Sequence, residues 1–159
     1  MKILNDSIIP LIGLDSFKFG DSLESVRIKL KYEKIAFNQC MGAKGEKKES
    51  TIKINNCITL YFIDDILFEI VLYNGFYGKL PNGIHVGMNM EEAKTIDNSL
   101  KYDDDAEGFI SSEGYMIVDD IETDTVSEIE IFINEVLNDE EFYKYEWIEK
   151  LKNINVKNT

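Results

Sequence analysis

Apolar and polar positions along the chain fall into two similar blocks. Phe17-Lys18-Phe19-Gly20-Asp21-Ser22-Leu23-Glu24-Ser25-Val26 and Ile84-His85-Val86-Gly87-Met88-Asn89-Met90-Glu91-Glu92-Ala93 share the order apolar-x-apolar-Gly-x-(Ser/Asn)-apolar-Glu-x-apolar. Leu30-Lys31-Tyr32 then returns as Leu100-Lys101-Tyr102. The pattern predicts a short strand, a glycine corner and a capped helix in each block. Ser22 and Asn89 carry side-chain oxygens that accept from the unpaired N–H groups of a first helical turn, and Glu24, Glu91 and Glu92 suit its positive end. The helix stripes are Leu23, Val26 and Leu30, then Met90, Ala93 and Ile96, at the spacing of a helix lying on a sheet.

Strands are expected after each helix. Residues 51–54, 57–63 and 66–73 read as three antiparallel strands joined at Asn55-Asn56 and Asp64-Asp65, because Asn and Asp tolerate the left-handed conformation of two-residue turns. The second half repeats the meander with Phe109-Ile110, a turn at 111–114, a strand at 115–118, an acidic turn at 119–125 and a strand at 126–133. Within the last, Glu128-Ile129-Glu130-Ile131 alternates acid outward and apolar inward. Asp139 to Leu151 predicts a closing helix with Phe142, Tyr145, Ile148 and Leu151 on one stripe and Tyr143 and Trp147 beside it. Residues 41–50 read as a mobile loop and the tail after Leu151 as frayed. The expected fold is α+β: two related helix-plus-antiparallel-sheet modules, about 15–75 and 82–133, with a C-terminal helix at 139–151. The two sheets join edge to edge in one compact domain, with helices on one face.

Composition places the chain among globular proteins: 159 residues, 44% hydrophobic, with only two Pro. A domain of this size buries roughly 70% of its unfolded surface and needs no staples. Cys40 and Cys57 fit a reducing compartment as ordinary thiols. The N-terminal segment has a polar break at Asn5 to Ser7 and no apolar core of a signal peptide, and no apolar run approaches a membrane span. A cytoplasmic protein with no membrane association is expected.

Charge changes the picture most. Net charge is −13, yet residues 1–79 carry 11 basic and 10 acidic side chains, whereas residues 80–159 carry 6 and 20. Nucleic acid and anionic lipid both require a cationic surface and are disfavoured as partners. A cationic protein partner is favoured; the competing explanation is that the acidity serves solubility alone.

Catalytic signatures are few. Asp103-Asp104-Asp105-Ala106-Glu107-Gly108 matches the opening of a calcium loop, but its twelfth position is Gly114 where a bidentate Glu is needed. His85 is the single histidine and has no companion ligand or nucleophile. No nucleophile elbow, phosphate loop, dinucleotide fingerprint or C-x-x-C motif is present. Asp64-Asp65 and Asp119-Asp120 lie where strands turn, which explains Asp without a catalytic carboxylate pair. No cofactor, metal site or catalytic residue is expected, and the chain reads as a non-enzyme. A metal-dependent enzyme built on the acidic loops ranks third among the functional readings.

Modules each led by Phe/Val-Gly-x-Ser/Asn-x-Glu resemble the tandem modules of the β-lactamase inhibitory proteins, over about residues 15–133. Single modules of the kind occur in the small lipoproteins of outer-membrane assembly. An acidic, Asn/Lys/Ile-rich chain of this size is also similar to the immunity proteins of bacterial contact-dependent growth inhibition systems. The last resemblance implies a cytoplasmic inhibitor that binds a basic protein toxin, of the nuclease class, and occludes its active or substrate-binding surface. The alternative is a protein-interaction or scaffold module with no toxin. The expected docking residues are Asp103, Asp104, Asp105 and Glu107 with Asp119, Asp120, Glu122 and Asp124, two clusters read as standing at opposite ends of the strand 115–118. The aromatics of the last helix allow homodimerisation.

Overall fold

A computed structural model of the chain describes residues 1–157, apart from the side chains of residues 44 and 155–157. A short 3-10 helix at Lys2–Asn5 and a small hairpin, β1 (Ile8–Ile9) and β2 (Gly13–Leu14), precede the first module. That module comprises α1 (Leu23–Tyr32), β3 (Asn38–Lys44), β4 (Lys47–Ile54), β5 (Ile58–Ile63) and β6 (Ile66–Leu72). The second comprises α2 (Met90–Ile96), β7 (Lys101–Asp103), β8 (Gly108–Ile110), β9 (Tyr115–Asp120) and β10 (Thr125–Phe132). A 3-10 turn at Asn134–Leu137 leads into α3 (Asp139–Tyr143) and α4 (Glu146–Lys157).

The eight module strands form one antiparallel sheet in the order β3-β4-β5-β6-β10-β9-β8-β7. The last strand of each module pairs with the last strand of the other, Ile129 opposite Leu72 and Ile131 opposite Ile70. The two meanders are therefore related by a pseudo-twofold axis. Their corners are built alike. Gly20 donates its N–H to Leu67 O, and Gly87 donates to Val126 O; Leu67 N–H returns to Asp21 O, and Val126 N–H to Met88 O. Both glycines hold a positive φ, 97° and 92°, a backbone state that most L side chains avoid. The caps act as expected: Ser22 Oγ accepts from Ser25 N at 3.0 Å, and Asn89 Oδ1 from Glu91 N at 3.0 Å.

Pairing register shows why the sheet has one core face. Tyr102, Phe109, Ile117, Ile129, Leu72, Ile58 and Ile54 lie in one row across seven strands. Leu23, Val26 and Leu30 of α1 and Met90 and Ala93 of α2 pack into the same core, so both helices lie on this face. Each fully buried aliphatic side chain there contributes roughly 1.5–3 kcal/mol. Asn55-Asn56 and Asp64-Asp65 take positive φ at both positions, as their two-residue hairpins require.

Four local expectations are corrected. Residues 41–50 form the β3–β4 hairpin rather than a loop; β3 is an edge strand with exposed Cys40 and Met41, so no buried face marks it in the sequence. β7, where no strand was expected, is an equally exposed edge. Ile96 is 41% exposed because α2 ends there and Asp97 turns inward instead. The closing helix is broken at Tyr145, whose φ of 57° is left-handed, and the break rotates Trp147 inward to donate to Phe142 O at 3.0 Å. Of Phe142, Tyr143, Tyr145 and Trp147, only Tyr143 is exposed, which narrows the aromatic surface available for self-association. The helix runs on to Lys157 rather than fraying after Leu151; residues 158 and 159 of that tail lie outside the described residues.

Candidate functional site

Antiparallel pairing decides where the acidic turns stand. β7 ends at Asp103 opposite Gly108, where β8 begins, and β9 ends at Asp120 opposite Thr125, where β10 begins. Phe109 pairs with Ile117, so the start of β8 and the end of β9 share one end of the sheet. Asp103, Asp104, Asp105 and Glu107 therefore stand at the same end as Asp119, Asp120, Glu122 and Asp124, not at opposite ends of the strand 115–118. The expectation misread the hairpin of 109–110 with 115–118: antiparallel pairing there brings the residues before 109 and those after 118 to one end. With strands spaced about 4.8 Å, the two turns lie roughly 10 Å apart, about one Debye length at physiological salt.

Local chemistry shapes these tips. Asp103 Oδ1 accepts from Asp105 N at 3.0 Å and Ala106 N at 2.9 Å, and Asp120 Oδ1 accepts from Glu122 N at 2.9 Å. Asp103 and Asp120 thus close turns, which spends part of their lone-pair capacity on backbone. Asp104, Asp105, Glu107, Glu122 and Asp124 are exposed and point their charge into solvent. Among the described residues no ion pair involves any of the eight, and no group of three or more His, Cys, Asp or Glu side chains is arranged to hold a metal. Ile121 is 89% exposed between Asp120 and Glu122, and Tyr102 projects beside Asp103 with its ring against Phe109. Neither was foreseen; the signal for Ile121 is a lone apolar residue in an otherwise polar turn.

The second face of the sheet carries a further group. Lys101, Ile110, Met116, Glu130, Val71, Thr59 and Lys53 form one row across it. Glu130 thus has Met116 on one side and Val71 on the other. Beside the row lie Glu128, opposite Val118, and Glu69, between Phe132 and Tyr61. Tyr73 lies near Thr59 and Tyr61 on this face. Burial pushes the Glu130 carboxyl up to about 8, reinforced by Glu69 and Glu128. Burial likewise raises Tyr61 and Tyr73, with the neighbouring glutamates adding to it.

One buried constellation looks like chemistry but is fully spent on structure. Asp97, 8% exposed, accepts from Ser99 N at 3.0 Å, Ser99 Oγ at 2.6 Å, Ser111 Oγ at 2.6 Å and the Tyr115 hydroxyl, to which Asn82 Nδ2 donates at 3.1 Å. Burial alone raises Asp97, but the bonds from Ser111, Ser99 and Tyr115 outweigh it and hold the carboxyl below its ordinary value. The network ties the end of α2 to the β8–β9 turn. His85 lies half-buried on its own, its Nδ1 at 2.9 Å from Val86 O.

No family model, curated protein or solved structure matches the chain. Among the described residues no helix is long and apolar enough to cross a membrane.

Proposed function

We propose that this chain is a cytoplasmic immunity protein that binds a basic protein toxin, of the nuclease class, and occludes the surface that receives its substrate. One observation carries the reading: eight carboxylates with no ion-pair partner among the described residues gather at one end of the second module. A nuclease must be cationic where phosphate binds, and a convergent acidic end competes for that surface and accelerates encounter. Ile121 adds an apolar contact at the centre of the charge, where desolvation strengthens a neighbouring ion pair.

Growth provides the test. The polypeptide encoded immediately upstream of this chain's gene is expressed in bacteria with and without the chain. The expected result is growth arrest by the upstream product, relief by the wild-type chain, and loss of relief when Asp103, Asp104 and Asp105 are all changed to Lys. An upstream product that is harmless or acidic overturns the reading in favour of an interaction module without a toxin.

A further inference from the structure

The two edges of the eight-stranded sheet are built differently. β7 is three residues long and carries Lys101 and Asp103, the short charged form that discourages another strand from pairing. β3 is seven residues long, pairs with β4 in unbroken register, and has neither proline nor charge from Asn38 to Ala43. Parity shows which of its groups are free. Lys48 O accepts from Asp64 N, so the even residues of β4 bond toward β5 and the odd ones toward β3. Lys44 and Lys47 then close a two-residue hairpin as a hydrogen-bonded pair, which leaves Gln39, Met41 and Ala43 with N–H and C=O groups pointing away from the sheet. Among the described residues no other backbone group bonds these three, and Met41 is 65% exposed. Gly42 supplies an independent sign. It weakens the strand, yet its φ is not left-handed and a Cβ there would meet nothing within 4 Å, so the single chain gives no reason for glycine. A strand glycine of this kind marks a place where another backbone approaches closely.

We propose that β3 pairs with β3 of a second copy of this chain, antiparallel about a twofold axis through Met41, so that two sheets become one. In that register Met41 faces its counterpart in a hydrogen-bonded pair, Gln39 faces Ala43, and the free groups make about six backbone hydrogen bonds. Cys40 faces Gly42 in the narrower, non-hydrogen-bonded pair, where the missing side chain makes room for the thiol. Met41 lies in the row of Ser50 and Phe62, so the paired methionines continue the core face across the junction. Lys44 falls opposite Asn38, and no like charges are opposed. Charge also selects a second copy over the basic partner. The half of the chain that holds β3 carries 11 basic and 10 acidic side chains, whereas the acidic turns lie toward the other edge. The nearer of them, joining β9 and β10, stands at least four strands from β3, roughly 19 Å or about two Debye lengths. Two copies therefore meet without opposing their acidic ends, which stay exposed.

Light scattering and disulfide trapping on the full chain test the pairing. The wild-type chain at about 100 µM is expected to show twice the monomer mass and to fall toward the monomer on dilution. Met41→Lys, which sets two ammonium groups face to face at an already exposed site, is expected to be folded and monomeric throughout. Register is read from Met41→Cys in a Cys40→Ser background. There the paired Cα atoms stand about 5.5 Å apart, within disulfide reach, and mild oxidation is expected to link most chains. Wild-type Cys40, whose counterpart lies on a diagonal at about 7–8 Å, is expected to link poorly. A wild-type chain that stays monomeric overturns the proposal, including where hydrogen exchange shows β3 protected only by the upstream-encoded polypeptide, which assigns the edge to that partner. A dimer that persists in Met41→Lys, or that traps at Cys40 and not at Met41→Cys, also overturns it by placing the contact on another surface or register.

Discussion

Asp97→Asn is expected to lower stability by about 3 kcal/mol, because it removes a charge that three side-chain hydroxyls and one N–H have been arranged to satisfy. The incoming amide faces Ser111 Oγ or the Tyr115 hydroxyl with a donor where an acceptor stood. One buried hydroxyl is thereby left without a partner. For a domain of this size the loss corresponds to a melting temperature lower by roughly 10 °C. The effect has a pH signature. Asp97 is held below its ordinary value of 3.8 in the folded state, so the stability it contributes is present above that value. It is lost as pH falls through the depressed folded value, and the gap between wild type and variant should narrow in acid. Urea unfolding at pH 7 checks the magnitude; a difference under about 0.5 kcal/mol would show that the network holds nothing together.

Glu130→Gln should act in the opposite direction, stabilising the protein at alkaline pH. The Glu130 carboxyl is pushed up to about 8 in the folded chain, against an ordinary value of 4.5. Between those values the folded state keeps a proton that the unfolded state has lost, so wild-type stability falls as pH rises through this window. Above about 8 the folded chain carries the full cost of a carboxylate set between Val71 and Met116. Glu130 is half-buried, so solvent screening reduces that cost to about 2 kcal/mol. Thermal melts at pH 5 and pH 9 test this. The variant should match wild type at pH 5 and melt about 6 °C higher at pH 9. An equal difference at both pH values would place the effect in packing rather than charge.

Much of the fold was legible because its signals are local. The Gly20 and Gly87 corners, their Ser22 and Asn89 caps and the Asn55-Asn56 and Asp64-Asp65 hairpins depend on residues within a few positions of one another. The edge strands β3 and β7 were not legible, since neither buries a face and hydrophobic alternation has nothing to record there. The helix break at Tyr145 escaped for a related reason. The periodicity of Phe142, Ile148 and Leu151 continues across it, while the left-handed residue is fixed by the tertiary position of Trp147. The acidic residues were legible by composition, and their convergence was implicit in the expected hairpin of 109–110 with 115–118, whose antiparallel pairing brings both acidic turns to one end. Glu130 was visible only as an outward member of an alternating strand. Its flanks, Met116 and Val71, come from strands remote in sequence.

The central claim is that the acidic end of the second module captures a cationic protein, and stopped-flow association with the upstream-encoded polypeptide tests it most directly. Rates are measured from low to high sodium chloride for the wild-type chain and for the triple variant Asp103→Lys, Asp104→Lys and Asp105→Lys. The wild-type rate should fall steeply with salt. The variant should associate at least about tenfold more slowly at low salt, with a nearly flat salt dependence. Equal rates and equal salt slopes for the two proteins would contradict the account.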